Sequence, residues 1–270
     1  MKFVICLLFV ITSFSTFAQS CEIENTSFKY GERVDYTIYY HLAGVWVGAG
    51  EVFFNVDSMN IKGQNFYHFN SEGETFRKYD WIYKVRDHYE TYMNAETMKP
   101  LRFKRIVNEG GTHIREDYVF NHYTNVAYTL RQMNKDEPYV KDTVILEDCN
   151  YDVLSMIYVA RNLGYSNLNQ GDKIPIKIFL DNESHDSYIE YLGKENLKIK
   201  GVGEFRCIKF APFLIEGTIF SAGAGMTVYV TDDKNRVPIL IETPILVGSI
   251  RARVSSMNGL RFPLDSKIAD

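Results

Sequence analysis

Apolar and polar residues alternate with a period of two along most of this chain, and that period predicts strands with one buried face. Val34, Tyr36, Ile38 and Tyr40 alternate with Asp35, Thr37 and Tyr39, and Val52, Phe54 and Val56 alternate with Phe53, Asn55 and Asp57. Residues 64–71, 81–94, 101–108, 113–121 and 126–133 read as further strands, rich in Tyr, Phe, Val and Ile and separated by Gly, Asn and Asp. Strand patterns resume over 174–180, 187–192, 197–200, 205–210, 226–231, 238–242 and 248–255. In the last, Ile250, Ala252 and Val254 oppose Arg251, Arg253 and Ser255, giving one apolar and one wet face. The short separations favour antiparallel neighbours in a meander, because parallel pairs need long crossovers.

One segment breaks the period. Val153, Met156, Ile157 and Ala160 fall at helical spacing, so a helix is expected over about 151–163, with Asn150 as its cap and Leu163-Gly164 as its stop. Together these patterns predict an all-β, mainly antiparallel fold: a large curled sheet or half-barrel whose one helix plugs the open side or covers a face. A strand, a polar turn and a strand opening on proline occur near both Tyr92–Leu101 and Tyr229–Ile239, a faint echo of two related halves. No linker separates them, and residues 19–270 are read as one domain.

The N-terminus adds location. Met1-Lys2, the apolar and hydroxyl run from Phe3 to Phe17, and the small Ala18 have the layout of a secretory signal peptide, cleaved between Ala18 and Gln19. The run is too short to span a bilayer, and no later stretch approaches the roughly 20 residues required. The expected location is the periplasm or cell envelope. Ser20-Cys21 also fits the end of a lipoprotein signal, although Ala18-Gln19 matches that pattern poorly, so a lipid anchor at Cys21 is the lesser alternative.

Composition narrows the picture further. A hydrophobic content of 46% supports a sizeable core, while a net charge of −4 with no Lys/Arg run lacks the footprint of a nucleic-acid binder. Cys21, Cys149 and Cys207 follow the signal, an odd count with no framework spacing. A Cys149–Cys207 disulfide and two separate buried thiols are both open readings.

The segment Phe28-Lys29-Tyr30-Gly31-Glu32-Arg33-Val34-Asp35-Tyr36 resembles the opening of a bacterial envelope family known as domain of unknown function 3108. Gly48-Ala49-Gly50-Glu51-Val52, Asp80-Trp81-Ile82-Tyr83 and Met226-Thr227-Val228-Tyr229-Val230-Thr231-Asp232-Asp233 extend the resemblance to about Val254. It implies an exported β-rich protein and supplies no catalytic residues. The family is in turn remotely similar to periplasmic lipoprotein carriers, which wrap an incomplete barrel around apolar cargo; that is an analogy between folds.

Chemistry is sparse. The six histidines are too dispersed for a local metal pair, no nucleophile elbow or phosphate loop occurs, and no catalytic residue, metal or cofactor is expected. Glu72 and Glu74, with Asp80 or Asp87, are the acids that a glycan hydrolase would use. Asp232-Asp233-Lys234-Asn235 reads as a hairpin turn in preference to a calcium loop. Two Gly-flanked apolar segments stand out: Gly44–Gly50 around Trp46, and Pro212–Gly225 with Phe213, Ile215 and Phe220. Trp46, Phe213, Ile215, Phe220 and Met226 are therefore the candidate ligand-binding residues. The leading expectation is non-catalytic binding of a lipid, acyl chain or other apolar envelope ligand, with peripheral membrane contact as a further partner. A structural module binding glycan or protein through Tyr36, Tyr39, Tyr40, Tyr83, Tyr89 and Tyr92 is the alternative, and a cell-wall glycan hydrolase the third.

Overall fold

A computed structural model describes residues 23–42, 44–165, 167–215, 225–245 and 248–269. The first half of the chain is a meander. It comprises β1 (Arg33–Leu42), β2 (Val45–Ile61), β3 (Gln64–Thr75), β4 (Arg86–Asn94), β5 (Pro100–Glu109), β6 (Thr112–Asn121), β7 (Val126–Gln132) and β8 (Val140–Ile145). Next come β9 (Asn150–Tyr151) and the helix α1 (Val153–Ala160). The second meander runs through β10 (Lys173–Leu180), β11 (Glu183–Ile199), β12 (Gly203–Pro212), β13 (Thr227–Thr231), β14 (Pro238–Pro244) and β15 (Ser249–Asn258), followed by a short β16 (Lys267–Ala269).

Among the described residues, all sixteen strands belong to one sheet. β1 pairs with β15, so the two meanders run outward from that junction, one ending at β8 and the other at β9, while β16 pairs with β12. Every ladder among the described residues is antiparallel except β9 on β10. Hydrogen bonding leaves the sheet open between β8 and β9, yet the chain crosses from one to the other in residues 146–149. Side chains draw the two flanks together. Tyr118 and Phe120 of β6 meet Phe179 of β10 edge-on at 5.4 and 5.6 Å, and Lys177 of β10 pairs with Glu147.

The helix fills the curl. Asp152 caps it by accepting from the backbone N–H of Leu154 and Ser155 at 3.0 and 2.9 Å, and it also accepts from Thr91 Oγ1 on β4 at 2.7 Å. Tyr158 stacks on Phe69 of β3 at 3.8 Å and meets Phe28 edge-on at 5.1 Å. At the helix end Arg161 pairs with Glu32 at 2.5 and 2.9 Å and donates to the Asn235 carbonyl at 3.0 and 2.9 Å. Both charged side chains are almost wholly buried, 3% and 1% exposed. Eight residues are too few for an isolated helix to persist in water, so packing and caps hold this one. Around it Phe28, Phe69, Met93, Phe103, Tyr118 and Phe179 are buried completely. A second cluster, including Val34, Tyr36, Phe205, Val237, Ile239 and Val254, lies among β1 and β12–β15.

Several boundaries differ from the sequence expectation. Asn150 is not the cap: it and Tyr151 are extended and pair with Lys177 and Ile178, which leaves capping to Asp152. The helix stops at Ala160, short of Leu163, where Arg161 engages Glu32. The expected strand over 81–94 begins only at Arg86, because Arg77–Tyr79 form a 3₁₀ turn and Trp81, Ile82 and Tyr83 do not alternate. The expected strands 187–192 and 197–200 are one strand, β11, in which Gly193 at φ +105° takes up a bulge after Tyr191. Strands β8, β9 and β16 are additions to the sequence expectation; in β8 every position but Val144 is exposed, so it carries little periodic signal. Cys207 is a free buried thiol whereas Cys149 is disulfide-bonded, so these two are not paired with each other. The expected signal peptide and Cys21 lie outside the described residues.

The buried pair gives a first prediction. Arg161→Met strands the Glu32 carboxylate in the core and is expected to lower unfolding stability by about 3–5 kcal/mol in urea denaturation. A loss below about 1 kcal/mol would show that the pair does not anchor the helix end.

Candidate functional site

Because neighbouring strands are antiparallel, alternate turns gather at one end of the sheet, here called the rim. The β1–β2 tip after His41, the crossing 76–85, the β5–β6 turn at Gly110-Gly111, the β10–β11 turn at Asp181-Asn182 and the turn after Pro244 all lie there. Trp46 sits at the rim, half-buried. Its ring stacks on His41 at 4.7 Å, and the Arg251 guanidinium lies over it at 4.1 Å, itself held by Glu242 at 2.5 Å. Val45 and Val47 on either side are exposed. Phe213, also at the rim, is 41% exposed; it stacks on Tyr188 at 5.1 Å, and its backbone N–H donates to the Tyr188 carbonyl at 2.9 Å. Ile215 and Met226 are half-buried, and Phe220 lies outside the described residues. Trp46 and Phe213 share an end but not a neighbourhood along the sheet, since β1, β15, β14 and β13 intervene.

Below the rim the inward face of β4–β7 is charged. Tyr89, Arg105, Glu116 and Arg131 form one cross-strand row. Glu116, fully buried, bridges Arg105 and Arg131, the latter through Nε at 2.5 Å. Asp181, from the β10–β11 turn, then accepts from the same two arginines at 2.6 and 2.9 Å. That turn has positive φ at both central residues, Asp181 (53°) and Asn182 (65°), the geometry of a two-residue hairpin loop for which Asp and Asn are suited. It reaches across the open side of the sheet and clamps the flanks.

Two acids adjoin this cluster. Asp87 accepts from the Asn108 backbone N–H at 2.9 Å and is hydrogen-bonded to Glu109. Burial first, then the hydrogen bond and charge of Asp87, push the Glu109 carboxyl up to about 7, and burial raises Asp87 as well. The pair therefore retains a proton near neutrality, restrained by the nearby Arg105 charge. In the sequence Asp87 is a candidate only as a partner for Glu72 or Glu74. The available signal was parity, which places Arg105 and Glu109 on the same face as the buried Phe103 and Val107.

The other expected acids point outward. Glu72 contacts His88 at 3.4 Å and Glu74 contacts Arg86 at 3.3 Å, each more than half exposed. Asp80 is bound by Arg86 and Thr75. Among the tyrosines, Tyr36 is buried, Tyr39 lies under Arg253 at 4.5 Å, Tyr92 stacks with His68 at 4.6 Å and Tyr83 is exposed, so the six do not form a coplanar platform. Asp233 behaves as a turn residue: one oxygen accepts from the backbone of Asn235 and Arg236, the other from Ser266. Among the described residues no group of three or more His, Cys, Asp or Glu could hold a metal ion. A shallow outer depression of about 540 Å³ lies over Val119, Tyr128 and Leu130, between the Arg102–Asp117 pair and Lys141.

Comparison with known proteins gives family and fold. A family model described as protein of unknown function (DUF3108) matches residues 35–255. No curated protein matches the chain. A crystal structure of a β-barrel-like protein of domain of unknown function DUF1849 from Brucella abortus matches 86% of this chain and 99% of its own, with a TM-score of 0.54 and 10% identity. At that identity the likeness concerns fold alone.

The shared proton has a measurable sign. A carboxyl raised from its ordinary 4.5 to about 7 binds its proton more tightly in the folded chain, so its stabilising contribution is full below about 4.5 and is lost as pH rises through 7. Denaturation midpoints measured from pH 4.5 to 8 should fall less steeply for Glu109→Gln than for the parent. Parallel profiles for the two proteins would exclude a proton held at this pair.

Proposed function

The chain belongs to the DUF3108 family, a description that carries no activity, and from that premise we propose that it is an exported, non-catalytic envelope module that engages an amphipathic ligand, such as a lipid or acyl chain, at its rim. The observation that carries this reading is the contrast between the two regions. Inside, Tyr158 stacked on Phe69 and the buried Phe28, Phe103, Tyr118 and Phe179 occupy the curl, where a carrier would leave space for cargo. At the rim, Trp46 is half-exposed beside Val45 and Val47, and Phe213 stands out beyond Tyr188. Apolar side chains held in place by stacked polar neighbours suit a ligand with both apolar and polar parts. The ligand is accordingly met at the end face.

Export rests on the signal-like N-terminus, with Ala18 as the cleavage residue and the periplasm or cell envelope as destination. A simple secreted form begins at Gln19; a lipid-anchored form begins at Cys21.

Native mass spectrometry of protein purified from its own envelope, followed by organic extraction, tests both parts. The expected result is a chain starting at Gln19 with a co-purifying lipid. Phe213→Asp should lower lipid occupancy about 10-fold with an unchanged melting curve, since burial of such a ring contributes about 1.5–3 kcal/mol. A ligand-free mass at low detergent would reject the lipid reading, and a lipidated Cys21 would replace the secreted form with an anchored one.

A further inference from the structure

Three consecutive large apolar side chains stand in solvent between β3 and β4: Trp81 is 83% exposed, Ile82 63% and Tyr83 46%. An exposed run of this kind marks a surface that something covers. The segment is held in shape. The Asp80 carboxylate accepts from Thr75 Oγ1 at 2.8 Å and from Arg86 Nη2 and Nη1 at 2.7 and 3.2 Å. Trp81 Nε1 donates to the Lys78 carbonyl at 3.0 Å, and the Ile82 backbone N–H to the Tyr79 carbonyl at 2.9 Å. Tyr83 packs so closely on Gly110 that a Cβ there would stand 2.2 Å from its ring. The aromatic display is thus formed before any partner arrives, which removes part of the ordering cost of binding.

Charge identifies the partner. Arg77, Lys78 and Lys84 bracket the apolar run and are exposed, while the one acid between them, Asp80, is already matched by Arg86. The chain as a whole carries −4. A local cluster of cations around Trp, Ile and Tyr on an acidic protein complements lipid phosphates above an acyl boundary, where Trp and Tyr are favoured.

We propose that residues 77–84 dock the protein on an anionic lipid surface, with Trp81 and Ile82 entering the boundary below the headgroups and Arg77, Lys78 and Lys84 meeting the phosphates. The proposal rests on the preceding reading only in placing the chain beside a membrane.

Vesicle flotation tests it, using phosphatidylcholine vesicles with and without phosphatidylglycerol. The full chain should partition about 10-fold more onto the anionic vesicles, and less as salt rises from about 0.05 to 0.3 M. Trp81→Asp with Ile82→Asp, and separately Lys78→Glu with Lys84→Glu, should each reduce partition about 10-fold while leaving the melting curve unchanged. Equal binding to both vesicle types, or undiminished binding by both variants, overturns the proposal. So does no vesicle binding at all, which leaves a protein partner to cover the patch. Lipid recovered by extraction without vesicle binding refutes docking and keeps the rim-ligand reading; vesicle binding without extracted lipid does the reverse.

Discussion

An open sheet that must behave as a closed one is the constraint on which this structure depends. Among the described residues sixteen strands form one sheet whose end strands, β8 and β9, are linked by residues 146–149 and by no ladder. An unsealed edge exposes backbone donors and acceptors, and full barrel closure would remove them. Here side chains substitute for the missing ladder. Phe179 inserts against Tyr118 and Phe120, and the Asp181 carboxylate holds Arg105 and Arg131 together from the opposite flank. Glu116 already pairs with both guanidinium groups from within the core, and Asp181 meets the same two from across the seam.

The helix completes what the seam begins. Its cap reaches β4 through Thr91, its middle stacks on β3 through Phe69, and its end is tied to Glu32 and to the Asn235 carbonyl ahead of β14. These attachments span both meanders, so the element that fills the interior also ties the two together. A buried ion pair stabilises little in itself once desolvation is counted, but with one partner missing the remaining charge is strongly unfavourable. Arg161 and Glu32 therefore act more as a requirement on helix position than as a source of stability.

Sequence periodicity made the sheet legible and left its closure hidden. Alternation at Val34–Tyr40 or Ile250–Val254 reports which face is apolar, and Val153–Ala160 reports one helix, because both are local consequences of backbone geometry. The cap lies two residues beyond Asn150, since whether Asn150 is extended depends on its partner Lys177, far along the chain. Trp46 and Phe213 were recognised as unusual from their glycine-flanked, charge-poor surroundings, but their separation by four strands is a matter of sheet order, which local pattern does not encode. The row from Tyr89 to Arg131 is the clearest case: each residue is an ordinary polar position on its own strand, and only the register of three ladders makes them a cluster.

That cluster links closure to the rim. Asp181 keeps nearly half its side chain exposed, so its bonds to Arg105 and Arg131 are screened by salt to a degree that the buried Glu116 contacts are not. The carboxyl pair at Asp87 and Glu109 lies near Arg105 and adds charge there as its proton leaves. The seam is thus weakest to ions and pH at the end where Trp46, Phe213 and Trp81 are displayed, and most secure around the helix. The charges most open to salt and pH lie at the end where apolar side chains are exposed, and the most deeply buried ion pair lies at the helix end.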